Sequence, residues 1–261
     1  MTQTLHFDAD AAHALERMYQ TPDVVGQRAR FHQLLSLASG ERILDVGVGP
    51  GLLAREMAEI VGPKGRLAGI DQSADMLSVT RRRCQDLLHA TFEQADATLL
   101  PYPDESFDAV VSTQVYEYVP DMETALSEAA RVLRPGGRIQ ILDTAWDSIV
   151  WNTGDSSRMQ RILKAWEDHL HHPNLPTTLG PLIRGAGFEL SLREVIPIVN
   201  TSFQPNCYSY GISRAIQNFV VDRHGISEEE ASAWRDEFKS LEREGSYFFS
   251  LNRYVFAGVK H

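Results

Sequence analysis

Short apolar runs and longer amphipathic stretches alternate over the first 145 residues. The pattern predicts strands at 42–46, 66–70, 91–95, 107–112 and 138–143, and helices near 52–61, 74–89 and 121–132, the order of a doubly wound, mostly parallel sheet. Two later apolar runs, Gly187–Val195 and Tyr254–Val259, would bring the sheet to seven strands. Three segments fall outside this α/β core. Residues 1–38 hold the helix-start pair Thr21-Pro22 with apolar Val24, Val25, Phe31, Leu34 and Leu35, and read as a helical lid over the sheet edge. Residues 144–183 carry Trp146, Trp151 and Trp166 among Asp147, Asp155, Asp168, His169, His171 and His172. Residues 200–246 hold a helix near 208–223 and a second one opened by the capping box Ser227–Glu230. The expectation is one domain over residues 1–261, with the lid and two insertions capping a substrate.

The strand at 42–46 breaks into Gly47-Val48-Gly49-Pro50-Gly51, and a helix begins at Leu52. A glycine turn between strand and helix lets a ligand approach bare backbone. In a dinucleotide-binding turn the third glycine comes three residues after the second. Here that position is Leu52 and the spacing is Gly47-x-Gly49-x-Gly51, which favours S-adenosylmethionine over NAD. Asp71 ends the next strand, where a carboxylate can accept both ribose hydroxyl hydrogens. Each anchor also has a structural reading: the turn as close packing, Asp71 as a helix cap, Asp96 as a turn residue.

Two further blocks follow. Asp96-Ala97 stands after the third strand, and Leu133-Arg134-Pro135-Gly136-Gly137-Arg138 feeds the fifth. With four blocks in this order, roughly residues 20–145 resemble the class I S-adenosylmethionine-dependent methyltransferases, specifically the small-molecule group that includes the quinone-biosynthesis C-methyltransferases. The resemblance implies a Rossmann-like methyltransferase fold with the final strand antiparallel between its neighbours. It implies that Asp45 and Gly47, Gly49 and Gly51 hold the methionine portion of S-adenosylmethionine, Asp71 the ribose, and Gln72 and Met76 the adenine edge and face. Asp96 would accept from the adenine amino group with the Ala97 amide nearby. The segment Ser112–Asp121, including Gln114 and Tyr116, would line the methionine end and the acceptor. Many relatives have His where Tyr118 stands.

Composition narrows the partners. A net charge of −10 disfavours nucleic acid, and the one basic cluster, Arg81-Arg82-Arg83, reads as a solvated helix face. Hydrophobic content of 43% and mean hydropathy of −0.25 describe an ordinary globular protein able to bury a sizeable core. The first ten residues lack a basic stretch and a long apolar run, and no segment has spanning length, so no membrane association and a cytoplasmic location are expected. Cys84 and Cys207 have no metal-type spacing, and no metal is expected.

The expected activity is methyl transfer to O, N or C of a small organic molecule; the alternatives are a nucleic-acid or protein methyltransferase and a noncatalytic S-adenosylmethionine-binding regulator. Asp143, at the carboxyl end of the fifth strand, is the candidate base if one is needed. Tyr19, Tyr116, Trp146, Trp151 and His169 are the candidate acceptor contacts.

Overall fold

The computed structural model describes residues 9–261, with side chains from residue 13. Seven strands form one sheet: β1 (Arg42–Val46), β2 (Arg66–Asp71), β3 (Ala90–Gln94), β4 (Phe107–Thr113), β5 (Leu133–Trp151), β6 (Phe188–Asn200) and β7 (Phe249–Lys260). Their order is β3-β2-β1-β4-β5-β7-β6. The first five pair in parallel, and β7 lies antiparallel between β5 and β6, as the resemblance implies. Because the chain order reverses between β1 and β4, the carboxyl ends of these two strands flank the crevice where open α/β sheets bind ligands.

Helices cover both faces. On one, α2 (Pro22–Leu35) and α3 (Leu52–Val61) bury Phe31, Leu35, Met57 and Val61 against Ile43, Leu67 and Ala109. On the other, α5 (Met122–Val132) and α7 (Pro176–Gly185) bury Leu126, Ala129, Leu179 and Ile183 against Val110, Ile139 and Ile141. Local chemistry starts several helices. Ser73 accepts from the Met76 N–H at 3.2 Å to open α4 (Ala74–Arg83), and Asp121 accepts from the Thr124 N–H at 3.0 Å to open α5. The predicted helix 74–89 ends early: Cys84 is its cap and a turn from Cys84 to Leu87 redirects the chain into β3.

A third cluster stands above the strand ends. It joins Met18 of α1 (Ala9–Tyr19), α6 (Ser156–Trp166), α8 (Tyr208–Val220) and α9 (Glu228–Arg243) to the extended ends of β5 and β7. Ser227 accepts from the Glu230 N–H at 3.1 Å, the cap anticipated for α9, and Trp234 and Phe238 are fully buried, each contributing about 1.5–3 kcal/mol of burial.

The boundaries of the three outer segments differ from the expected ones. Residues 1–8 lie outside the described part of the lid. Of the lid's helices, α1 lies over the crevice, while α2 lines its edge with Val24, Gln27 and Arg28 and packs Phe31 and Leu35 into the core layer. Residues 144–151 continue β5 through its pairing with β7, with a register shift between Ala145 and Val150, and α7 is a core helix. The capping part of 144–183 is therefore centred on α6.

Candidate functional site

The carboxyl ends of β1, β2 and β4 open into a cavity of about 1690 Å³ roofed by α1 and α8. Pockets of about 300–1,000 Å³ hold one small ligand, so this one has room for two side by side.

Its first end is built on the glycine turn. Gly49 has φ +52, and nothing stands within 4 Å of where its Cβ would be, so the turn presents bare backbone to the cavity. Gly47 has φ +77 and a different reason: a Cβ there would come within 2.2 Å of Val115 Cγ2. Val115 is brought there by Gln114, a non-glycine residue with φ +56 whose N–H donates to the Leu142 carbonyl at 2.7 Å. Gly51 faces inward at the start of α3, against Thr80.

Asp71 fixes this turn. Its Oδ2 accepts from the Gly49 N–H and its Oδ1 from the Ser73 N–H, both at 2.9 Å, and each oxygen retains a lone pair for a ligand hydroxyl. Burial pushes its carboxyl up, opposed by those N–H donors. Beside it, Gln72 Nε2 donates to Asp96 Oδ2 at 2.8 Å, and Asp96 Oδ1 accepts from the Thr98 N–H at 2.7 Å. Gly47, Gly49, Asp71, Gln72, Met76, Asp96, Ala97 and Gln114 all line the cavity. Asp71 and Asp96 thus serve the local turns as well as facing the cavity.

Two residues expected on this wall stand behind it. Asp45 is 2% exposed, and burial with the charge of Asp71 nearby pushes its carboxyl up to about 7. Gly51 contributes turn geometry. Both follow from the turn itself, which presents only its Gly47–Pro50 arc.

The second end has aromatic walls: Tyr19 from α1, Tyr118, Trp146 from β5, Trp166 from α6, and Tyr208 and Phe219 from α8. Tyr19 and Trp146 are where the sequence suggested. Tyr116, Trp151 and His169 are not. Tyr116 is 1% exposed and points into the core below, because the single 3-10 turn Tyr116–Tyr118 aims Glu117 and Tyr118 at the cavity instead. Trp151 is stacked on Phe238, ring centres 4.5 Å apart, and its indole N–H donates to the Tyr247 hydroxyl at 3.1 Å. His169 sits behind Trp146 and Trp166 with Nδ1 on the Trp166 carbonyl, and burial lowers its pKa to about 4, which leaves it neutral. Asp143, the candidate base, has no exposed surface and does not line the cavity, because its β5 position pairs with Tyr254 at the centre of the sheet.

The carboxylate that does line the aromatic end is Glu117, a member of the Ser112–Asp121 segment. Its Oε2 accepts from the Trp146 indole N–H at 3.0 Å, and its backbone carbonyl accepts from the N–H groups of His171 and His172, each at 3.0 Å. It is 1% exposed, and burial pushes its carboxyl up to about 7, opposed by the Trp146 donor and by Arg253.

Among the described residues no cluster of three or more His, Cys, Asp or Glu is arranged to hold a metal, and no helix is long and apolar enough to cross a membrane.

Residues 44–141 match the family model described as a methyltransferase domain. An uncharacterized 37.1 kDa protein in transposon TN4556 of Streptomyces fradiae is 36% identical over 192 residues, which is 73% of this chain and 55% of that protein. The 2-phytyl-1,4-naphtoquinone methyltransferase of Synechococcus elongatus is 42% identical over 107 residues, 40% of this chain and 46% of that protein. The chain therefore spans about half the length of the curated relatives it matches. Among solved structures, phosphoethanolamine N-methyltransferase 2 of Haemonchus contortus, in complex with S-adenosyl-L-methionine, matches with a TM-score of 0.64 at 20% identity, over 97% of this chain and 57% of that one.

Proposed function

Starting from a chain that has the class I S-adenosylmethionine-dependent methyltransferase fold and a methyltransferase domain at residues 44–141, we propose that it transfers a methyl group from S-adenosylmethionine to O, N or C of a small organic molecule. The observation that carries this reading is one continuous cavity, with a bare glycine turn flanked by Asp71 and Asp96 at one end and aromatic walls at the other.

The residues at the first end fit the cofactor. Asp71 offers lone pairs suited to a ribose diol, the Gln72–Asp96 pair offers a donor and acceptors suited to an adenine edge, and the open face of Gly49 leaves space for the chain beyond. When bound, S-adenosylmethionine supplies an electrophilic methyl on a positively charged sulfur. The protein's task is then to hold an acceptor in line and exclude water. The roof of α1 and α8 partly covers the cavity, and Tyr19, Tyr118, Trp146 and Trp166 offer flat apolar surfaces to orient an acceptor. The quinone substrate class in the Synechococcus relative's name supports an acceptor with a planar apolar body. Glu117 replaces Asp143 as the group placed to hold the acceptor's proton, since it alone of the two lines the cavity.

Incubating the protein with methyl-labelled S-adenosylmethionine and a metabolite extract, then separating products by size, tests this. Label in small molecules is expected. Label in protein or nucleic acid, or cofactor binding without any transfer, would overturn it in favour of a macromolecular methyltransferase or a binding protein.

A further inference from the structure

Beneath the aromatic end lies a buried group of charges drawn from separate elements. Glu117 follows β4, Asp143 is on β5 and Arg253 on β7, and each is 1% exposed or less. The Arg253 Nη1 donates to Gln27 Oε1 at 2.6 Å, and its guanidinium lies over the Tyr208 ring, 4.6 Å from the centre. It acts on both carboxylates through space. Asp143 faces the backbone N–H groups of Glu117 and Val115. The other groups around the Glu117 carboxyl are uncharged at neutral pH: the hydroxyls of Tyr19 on α1, Tyr118 beside it and Tyr208 on α8, the Trp146 indole on β5, and the backbone N–H of Thr144. Two carboxylates thus face one guanidinium out of water. Fully ionised, the group would carry one uncompensated negative charge, which a buried site resists by keeping a proton.

The strand order says what meets this charge. Across the sheet the cavity is lined by Asp96 after β3, Asp71 at β2, the glycine turn at β1 and Glu117 after β4. A ligand with its base at Asp96 and its ribose at Asp71 runs on toward β1 and β4, so the atoms attached to the ribose lie toward Glu117.

We propose that Glu117 is the counter-charge that recognises the positive sulfur of the cofactor, so that the site separates S-adenosylmethionine from its uncharged demethylated product by charge. The inference rests on the methyltransferase reading and assigns it a specificity-determining residue. As the cation enters, the proton kept by this buried pair of carboxyls leaves for solvent, an O–H bond breaks, and no other covalent change occurs. Once the sulfur has lost its charge a proton is taken up again, from the acceptor where it sheds one and otherwise from solvent, and the product is held less tightly than the cofactor it came from.

Calorimetric titration at pH 7, in two buffers of different protonation enthalpy, tests this with three probes: S-adenosylmethionine, S-adenosylhomocysteine, and sinefungin, which carries an amine in place of the methylated sulfur. Wild type should bind the two cations more tightly than S-adenosylhomocysteine and release more protons with them, because a nearby positive charge favours the ionised carboxylate. Glu117→Gln should lower the preference for the cations roughly tenfold, the scale of a hydrogen-bonded charge. The proton count on wild type needs no variant to fold. Equal proton release with S-adenosylmethionine and S-adenosylhomocysteine, or an unchanged preference in folded Glu117→Gln, would overturn the role of Glu117 and leave the methyltransferase reading standing. Failure of all three to bind wild type would overturn both.

Discussion

The Trp146 indole N–H donates to Glu117 Oε2 at 3.0 Å, joining β5 to the turn that follows β4 across the cavity. The bond favours the ionised carboxylate and so lowers the pKa that burial raises. Trp146→Phe keeps an aromatic ring, though a smaller one, and removes the donor. The variant should lose about 1–3 kcal/mol of stability by urea denaturation. The loss should be larger at pH 8 than at pH 5, because the bond is strongest when Glu117 is ionised. An equal loss at both values would show that packing alone is at stake.

Asp71 holds Gly49 and Ser73 together and still has lone pairs for a ligand. Asp71→Ala should weaken S-adenosylmethionine by about 1.5–3 kcal/mol in calorimetry, the scale for hydrogen bonds to a charged group. An unchanged affinity in folded protein would mean that the ribose is held elsewhere.

Gly47 and Gly49 should respond differently to a side chain. Alanine at 47 drives its Cβ to 2.2 Å from Val115 Cγ2 and must displace the segment carrying Glu117. Gly47→Ala should therefore cost about 1–3 kcal/mol in thermal or urea unfolding. Gly49→Val meets no protein atom within 4 Å, and its damage should fall on cofactor affinity, with a folding cost of about 1–2 kcal/mol from its left-handed backbone. Calorimetry beside denaturation separates the two, and full affinity in Gly49→Val would remove the turn from the site.

Asp45 gives a pH signature. Burial, with the charge of Asp71 beside it, raises its folded carboxyl from 3.8 to about 7, so between those values the folded chain binds a proton that the unfolded chain has released. Its contribution is complete below the unfolded pKa and is lost as pH rises to about 7. Asp45→Asn removes this dependence and should gain on wild type across that range, by up to about 4 kcal/mol. Melting temperatures of both proteins from pH 4 to pH 8 would show it; parallel curves would contradict it.

What the sequence revealed and what it hid follow from how local each feature is. β1, β2 and β4, the glycine turn and Asp71 are set by runs of a few residues, and they stand within a residue or so of their expected places. The order β5-β7-β6 followed from the resemblance and not from periodicity. The acceptor end was less legible because it is assembled from distant segments. Trp146 and Trp151 stand on one strand, the first at the start of an irregular stretch and the second beyond it; Trp146 lines the cavity and Trp151 stacks on Phe238 of α9, a contact between segments far apart in the chain. Asp143 and Glu117 are both acidic residues beside strand ends, but only the turn after β4 brings its carboxylate to the cavity. The burial of His169 depends on rings from β5, α6 and α8, which no short window contains.

The side chain of Arg83 reaches from α4 to two places at once. Its Nε donates to the Pro50 carbonyl of the glycine turn at 2.7 Å, and its Nη2 pairs with Glu16 of the roof helix. The roof is thereby tied to the floor by an ion pair that is only partly shielded from water, with 20% and 24% of the two side chains exposed. Dissolved ions weaken such pairs. The rate at which molecules enter and leave the chamber should accordingly rise with ionic strength and in Arg83→Gln, even though Arg83 does not line the chamber, and stopped-flow measurement of S-adenosylhomocysteine escape would read that rate directly.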